Sequence, residues 1–392
     1  MDVEKSLDEL KSLIGKHQAE YETLARNIWE TPELAFQEKN ACRLQVELLS
    51  DLGFQVTSPY AGLETAYLAA VGEGGHTFCY VAEYDALPDL GHGCGHNLIC
   101  AAAIAAGRAT ADLLRLHHLP GRVLVMGTPA EESGGGKVRM LAEDCLDGVD
   151  AVMMVHPSWR TTPDTGSTAI RRFDIEFFGK AAHAAGAPEL GLNALDAVML
   201  LFNGINAWRQ QLPENARIHG IVRQGGYAPN IIPDHASCRF FLRSTCDDTL
   251  DRMEKRFRDI VKGAALMTGT TYEIRPHNVP YRSRRPNRKM NEIYLDAADR
   301  LGMNPVIPPR AGRGSSDFGD FSQVKPGIHP YFGIAHEEIA AHSTEFCNAA
   351  GSSHGNAQML KAAAAMAQVG YRFLTDAAVR QGVLDAAGPE KN

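Results

Sequence analysis

The sequence predicts an α/β protein: a mixed, largely parallel sheet flanked by helices, interrupted by a smaller ferredoxin-like α+β domain. Three observations predict it. Between residues 77 and 155, strand-like and helix-like stretches alternate, as in a parallel-rich sheet with helices on both faces. After about residue 167 the pattern becomes strand, helix, strand, strand, helix, strand, the split βαβ order of a small one-sheet sandwich. The chain has 392 residues, more than one ordinary domain needs, and 44% hydrophobic residues supply material for two cores.

The elements follow in order. Leu7, Leu10, Leu13 and Ile14 recur at helical spacing, and residues 41–52 read as a second amphipathic helix before short strands. The apolar run Thr77–Ala82 reads as a strand and 98–116 as a helix. Strand 122–126, short helix 136–143 and strand 151–155 continue the alternation. Phe173, Ile175 and Phe177 then alternate with polar residues, as in a half-exposed strand. Residues 192–212 read as a helix, 217–224 and 236–243 as strands, 249–265 as a helix and 271–275 as a last strand. The basic, Pro-containing stretch 281–288 reads as a linker, and an Ala-rich helix over 357–374 closes the chain. The expected division is 1–167 and 283–392 for the main domain and 168–282 for the insert.

Composition excludes several classes. A net charge of −8 without a basic stripe argues against nucleic acid. The first ten residues are charged and amphipathic, unlike a signal peptide. The longest apolar run, 101–116, is broken by Gly107, Arg108, Asp112 and Arg115, short of the roughly 20 residues that span a bilayer. The eight cysteines are scattered and read as free thiols of a reducing compartment, so a cytoplasmic protein is expected.

The chemistry gathers at strand ends, where open α/β sheets place their sites. Strand Thr77–Ala82 runs into a glycine-rich turn that sets Cys94 two residues from His96. Thiolate and imidazole are favoured ligands for zinc and similar ions. Glu131 and Glu132 follow the strand at 122–126. Adjacent carboxylates point in different directions, so one can bind metal while the other serves as a general base. An exposed acidic turn is the plainer reading of such a pair, and the matching strand end weakens it. Gly134, Gly135, Gly136 and Lys137 lack the phosphate-loop pattern and read as a flexible turn opening a helix. His156, fixed by Pro157, ends the next strand, and His342 lies far along the chain. Together Cys94, His96, Glu132, His156 and His342 exceed the needs of one catalytic zinc and suit a pair of ions.

These motifs carry a resemblance. Asp-Ala-Leu-Pro (85–88), Gly-His-Gly-Cys-Gly-His-Asn (91–97), Gly-Thr-Pro-Ala-Glu-Glu (127–132), Val-His-Pro (155–157) and Gly-Lys-Ala-Ala-His-Ala-Ala (179–185) occur in that order. So do Pro-Asn-Ile-Ile-Pro (229–233) and Gly-Ser-Ser-Asp-Phe-Gly-Asp (314–320). The chain resembles, over nearly its whole length, the M20 family of metallopeptidases and amidohydrolases, in the subgroup acting on aminobenzoyl-glutamate and auxin conjugates. The resemblance implies a zinc-peptidase-like catalytic domain and a lid that also dimerises. It makes Cys94, His96, Glu132, His156 and His342 ligands of two divalent ions per subunit. Glu131 is then the general base, and Asp85 orients a ligand. His183 crosses a homodimer interface to stabilise the oxyanion in the partner subunit's site. Asn230 and Arg243 hold the substrate's carboxylate or amide, with Arg239 and Arg223 as nearby alternatives. The Cys ligand favours zinc, while carboxylate and imidazole ligands also suit manganese.

Other histidines compete. His354 rivals His342 but lacks its His-Ser/Thr-x-x-Phe context and reads as packing at a helix start. His92 reads as supporting or solvent-facing. His117 and His118 read as a solvated helix end. His219, His235, His277, His329 and His336 carry no motif. The implied activity is metal-dependent hydrolysis of an amide bond, releasing a free amino acid from an N-acyl or aroyl amino acid or a dipeptide. The alternatives are a non-catalytic binding protein on the same fold and a hydrolase of an unusual aromatic amide or amine conjugate.

Overall fold

The computed structural model describes residues 3–308 and 314–386, which divide into two compact units. The first takes the described residues of 1–166, 284–312 and 316–392, and the second those of 167–283 and 313–315.

The first unit is built on a six-stranded sheet in the order Gln55–Thr57, Tyr67–Val71, Arg122–Gly127, Thr77–Ala82, Ala151–Met153, Gly327–Ile328. The first two strands pair antiparallel, and the remaining four are mutually parallel. Helix His96–Leu116 packs on helices Ser353–Thr375, Gln18–Glu30 and Val3–Gly15. Its run Ala101, Ala102, Ala103, Ile104, Ala105, Ala106 is fully buried, as are Ala362, Ala363, Ala365 and Ala367 opposite. Small side chains let these helices approach closely, so the core rests on backbone proximity more than on bulk. The polar atoms inside are bonded: the Tyr80 hydroxyl meets Thr110 Oγ1 at 2.7 Å. By length and composition His96–Leu116 could cross a membrane, but 83% of its most apolar window is buried in this unit, and it serves here as the central core helix.

The second unit is a four-stranded antiparallel sheet in the order Thr271–Pro276, Ala169–Phe178, His235–Ser244, Ala216–Gln224. Helices Ala194–Arg209 and Asp247–Thr268 pack on each other and on the two central strands. Alternation decides which face they cover: Phe173, Ile175 and Phe177, with Ala236, Cys238, Phe240 and Leu242 on the neighbouring strand, are buried in one cluster.

Several expectations change, and helices Gln18–Glu30 and Ala377–Asp385 were not foreseen. The strand foreseen over 151–155 ends at Met153, and His156–Ser158 pairs separately with Tyr331–Gly333. The helix foreseen from 192 starts at Ala194, because the Asn193 side chain accepts the Leu195 and Asp196 amides and caps it. The stretch 281–288 is no exposed linker. Arg284 is buried in an ion pair with Asp164 (2.8 Å), and the Ser283 hydroxyl bonds Asp247 at 2.6 Å.

Candidate metal centre and its supporting carboxylates

Four parallel strands end on one side of the first unit, and the residues after them form the site. Gly95 adopts a left-handed φ of 73° and launches the helix at His96. A Cβ there would meet Pro157 at 2.8 Å, so only glycine joins Cys94 to His96 beside the His156 strand. The His342 amide donates to the Gly93 carbonyl at 3.0 Å, tying the distant loop to this turn.

The donor atoms converge. Those of Cys94, His96 and His156 lie within 4.8 Å of one another, as do those of Cys94, Glu132 and His342, and those of His96, Glu131 and Glu132. His96 Nε2 is 3.8 Å from Glu132 Oε1, and His342 Nε2 is 3.9 Å from it. Buried His96 Nε2 and Glu132 Oε1 make no hydrogen bond. Buried polar atoms without partners are rare, and here they face one another among soft and borderline donors, a set that fits divalent cations.

The ring orientations are held from behind. Asp85 Oδ1 lies 3.2 Å from His96 Nδ1, and Asp85 Oδ2 accepts the Glu132 amide at 2.9 Å. Burial pushes the Asp85 carboxyl up, but its bonds to His96 and to the Glu132 amide outweigh that and leave its pKa lowered. As a carboxylate it accepts the Nδ1 proton and leaves Nε2 directed at the cluster. His156 Nδ1 sits 2.7 Å from the Pro157 carbonyl, which can only accept, so its Nε2 is likewise the free lone pair. Desolvation above all lowers the His156 pKa to about 3, keeping it a neutral imidazole. Burial pushes the Cys94 thiol up. Desolvation, then the charges of Glu83, Glu132 and Asp317, raise Glu131 well above the usual carboxylate range.

A second group lies beside the first. Carboxylate oxygens of Glu83, Glu131 and Asp317 are within 4.8 Å of one another. The ammonium of fully buried Lys137 pairs with Glu83 and with Asp317 Oδ1 (2.7 Å), and the Lys137 amide donates to Asp317 Oδ2 at 3.0 Å. A lysine thus supplies the cation that these carboxylates need. Sequence reasoning missed Glu83, Lys137 and Asp317 as a unit. The glycines before Lys137 signalled a flexible turn, yet its side chain lies in the core, and a Lys is almost never fully buried unless paired. His329 was also missed: it is buried, and its ring stacks on His156 with centroids 5.4 Å apart. His92 is buried as well, with Nε2 3.1 Å from the Ile28 carbonyl, and faces no solvent.

His183, Asn230 and Arg243 belong to the second unit. His183 is exposed, and its Nδ1 accepts the amides of Ala185 (3.2 Å) and Gly186 (3.0 Å), which leaves Nε2 to carry the proton. The Asn230 carbonyl accepts the Ala184 amide at 3.0 Å, so these two residues are neighbours. Arg243 donates to the Ser315 hydroxyl at 2.9 Å, and burial, then nearby Arg172, lowers its pKa. Of its rivals, Arg239 is committed to Asp174 by two bonds (2.6 and 3.0 Å), and Arg223 is exposed.

Known proteins resemble this chain in sequence and in fold. The family described as peptidase family M20/M25/M40 matches residues 79–370. The chain is 35% identical to a mouse (Mus musculus) Xaa-Arg dipeptidase over 376 residues, covering 92% of this chain and 87% of that protein. It is 34% identical over 301 residues to one component of the p-aminobenzoyl-glutamate hydrolase of Escherichia coli, covering 72% of this chain and 62% of that component. Among solved structures, a dinuclear metal-binding M20 peptidase of Bacillus subtilis superposes with a TM-score of 0.70 at 22% identity, over 92% of this chain and 99% of that one.

Proposed function

The chain belongs to peptidase family M20/M25/M40, and from that premise we propose that it hydrolyses the amide bond of a dipeptide or an N-acyl or aroyl amino acid, releasing a free amino acid. The observation that carries the reading is the meeting of His96 Nε2 and Glu132 Oε1, buried and unbonded, among Cys94, His156 and His342. These five residues would hold two divalent ions, zinc or manganese. When bound, such ions acidify water and polarise a carbonyl.

The chain's own residues do the rest. Glu131 takes the proton of the attacking water at its carboxylate and returns it to the leaving amine. Asp85 holds the His96 ring and the Glu132 backbone while this happens. Arg243, bonded to the neutral Ser315 hydroxyl and with no ion pair among the described residues, is a guanidinium suited to a substrate carboxylate. The Nε2 proton of His183 is a donor for a developing oxyanion, and Asn230 stands beside it. Exposed Ile221 and Val222 on the edge strand of the second unit, with Met199 on a helix of the same unit, are consistent with a homodimer formed through it. Eight free cysteines suit a reducing compartment such as the cytoplasm.

The test is a hydrolysis screen over dipeptides, acyl-amino acids and aminobenzoyl-glutamate, with chelator and with zinc or manganese restored. Release of an amino acid that chelator stops and metal restores supports the reading. Turnover indifferent to chelator contradicts it.

A further inference from the structure

Glu38 is a buried carboxylate that neither the metal cluster nor the lysine group uses. It is 0% exposed, and it lies at the start of the helix Lys39–Asp51, far in sequence from the site. Its Oε1 accepts two backbone amides, Phe36 at 2.9 Å and Ala130 at 2.9 Å, and its Oε2 accepts the Thr65 hydroxyl at 3.0 Å. Phe36 and Ala130 are both non-glycine residues with a φ of 62°, a left-handed conformation that L side chains rarely adopt. A single carboxylate therefore pins two strained positions at once.

The second of these matters most. Ala130 immediately precedes Glu131, and Glu132 immediately follows it. The Ala130 amide is held by Glu38, and the Glu132 amide by Asp85 at 2.9 Å. Glu131 thus hangs between two backbone amides, each anchored to a buried carboxylate from another part of the chain. The turn is closed on its far side as well, where the Gly134 amide donates to the Ala130 carbonyl at 3.0 Å. Thr65, which satisfies the other oxygen of Glu38, accepts the Tyr84 hydroxyl through its carbonyl, next to Asp85. The two anchors are joined by this relay.

We propose that Glu38 is a positioning residue for Glu131, acting through the Ala130 amide to hold the left-handed turn that aims the base. The proposal rests on the reading of Glu131 as general base. What the geometry asks of Glu38 is acceptance, not charge: a Gln keeps Oε1 for both amides, and its amide nitrogen can donate to the Thr65 hydroxyl, which accepts as readily as it donates.

The experiment compares Glu38→Gln and Glu38→Leu with the unaltered protein for kcat, KM, metal content and amide exchange over residues 128–136. Glu38→Gln is expected to keep kcat within about threefold, since all three bonds survive. Glu38→Leu is expected to lose about 100-fold in kcat, the scale of a misplaced catalytic group, with KM and metal content little changed. Its exchange over 128–136 should quicken about tenfold. If Glu38→Leu does not fold, Glu38→Asp replaces it, because the shorter chain cannot reach both amides and Thr65. Leu or Asp variants with full kcat would overturn the proposal, and so would a Gln variant as impaired as Leu. If the unaltered protein hydrolyses nothing while exchange responds as stated, it is the functional reading that falls, and with it the assignment of a base for Glu38 to aim.

Discussion

The two units use charged residues in opposite ways. In the first, Lys137, Glu83 and Asp317 are fully buried, and Asp85 and Glu38 spend both oxygens on bonds. In the second, the doubly bonded pair Arg239 and Asp174 lies part-exposed on the sheet, and His183 and Asn230 are exposed. Both units are regular α/β structures with separate apolar cores. The difference is that, among the described residues, the fully buried ion pairs lie in the first unit. Buried charge is tolerated there because each group is paired or bonded, and such order fixes the position of reactive atoms to a degree that exposed side chains do not reach.

This contrast can be broken at several points. The largest effect belongs to Glu131. Glu131→Gln keeps the proposed metal donors and removes the proposed base, so kcat should fall about 10²–10⁴-fold with metal content unchanged, as steady-state rates and metal analysis of one preparation will show. Next is Lys137→Met, which strands two buried carboxylates. It should destabilise the protein by about 3–5 kcal/mol in denaturant titration. Loss of less than the effect of the matching change in the second unit would show that the buried order is not what holds the first.

A smaller, pH-dependent effect follows from Glu38. Burial, then the charge of Asp85, pushes its pKa up to about 7 from 4.5. The folded chain therefore binds a proton more tightly than the unfolded one, and stability is lost as pH rises through that window. Glu38→Gln has no such loss, so relative to wild type it should gain up to ~3 kcal/mol between pH 4.5 and 7, read from melts across that range. The smallest effect belongs to the second unit: Arg239→Met should cost about 0–1 kcal/mol, because the pair is partly exposed and His277 remains 3.1 Å from Asp174.

What could be read in the sequence divides along the same line. The second unit was legible from alternation, since Phe173, Ile175 and Phe177 announce both the strand and the face that its helices cover. In the first, Cys94, His96, Glu131, Glu132 and His156 were legible because each follows a strand and carries a donor chemistry. Glu83, Lys137, Asp317 and Glu38 were not. Their partners lie 54 to 180 residues away for the lysine group and 92 away for the bond from Glu38 to Ala130, and no local pattern encodes contacts across such spans. The stretch 281–288 failed for the same reason: a basic, proline-containing run looks solvated until Asp164 is found opposite Arg284.

The central claim is that five side chains of the first unit hold two divalent ions. Metal analysis after equilibrium dialysis, on the unaltered protein and on Cys94→Ser and His342→Ala, tests it most directly. The account predicts two ions per chain, and weaker or lower binding in each variant. Absence of stoichiometric metal, or binding indifferent to both substitutions, would contradict it.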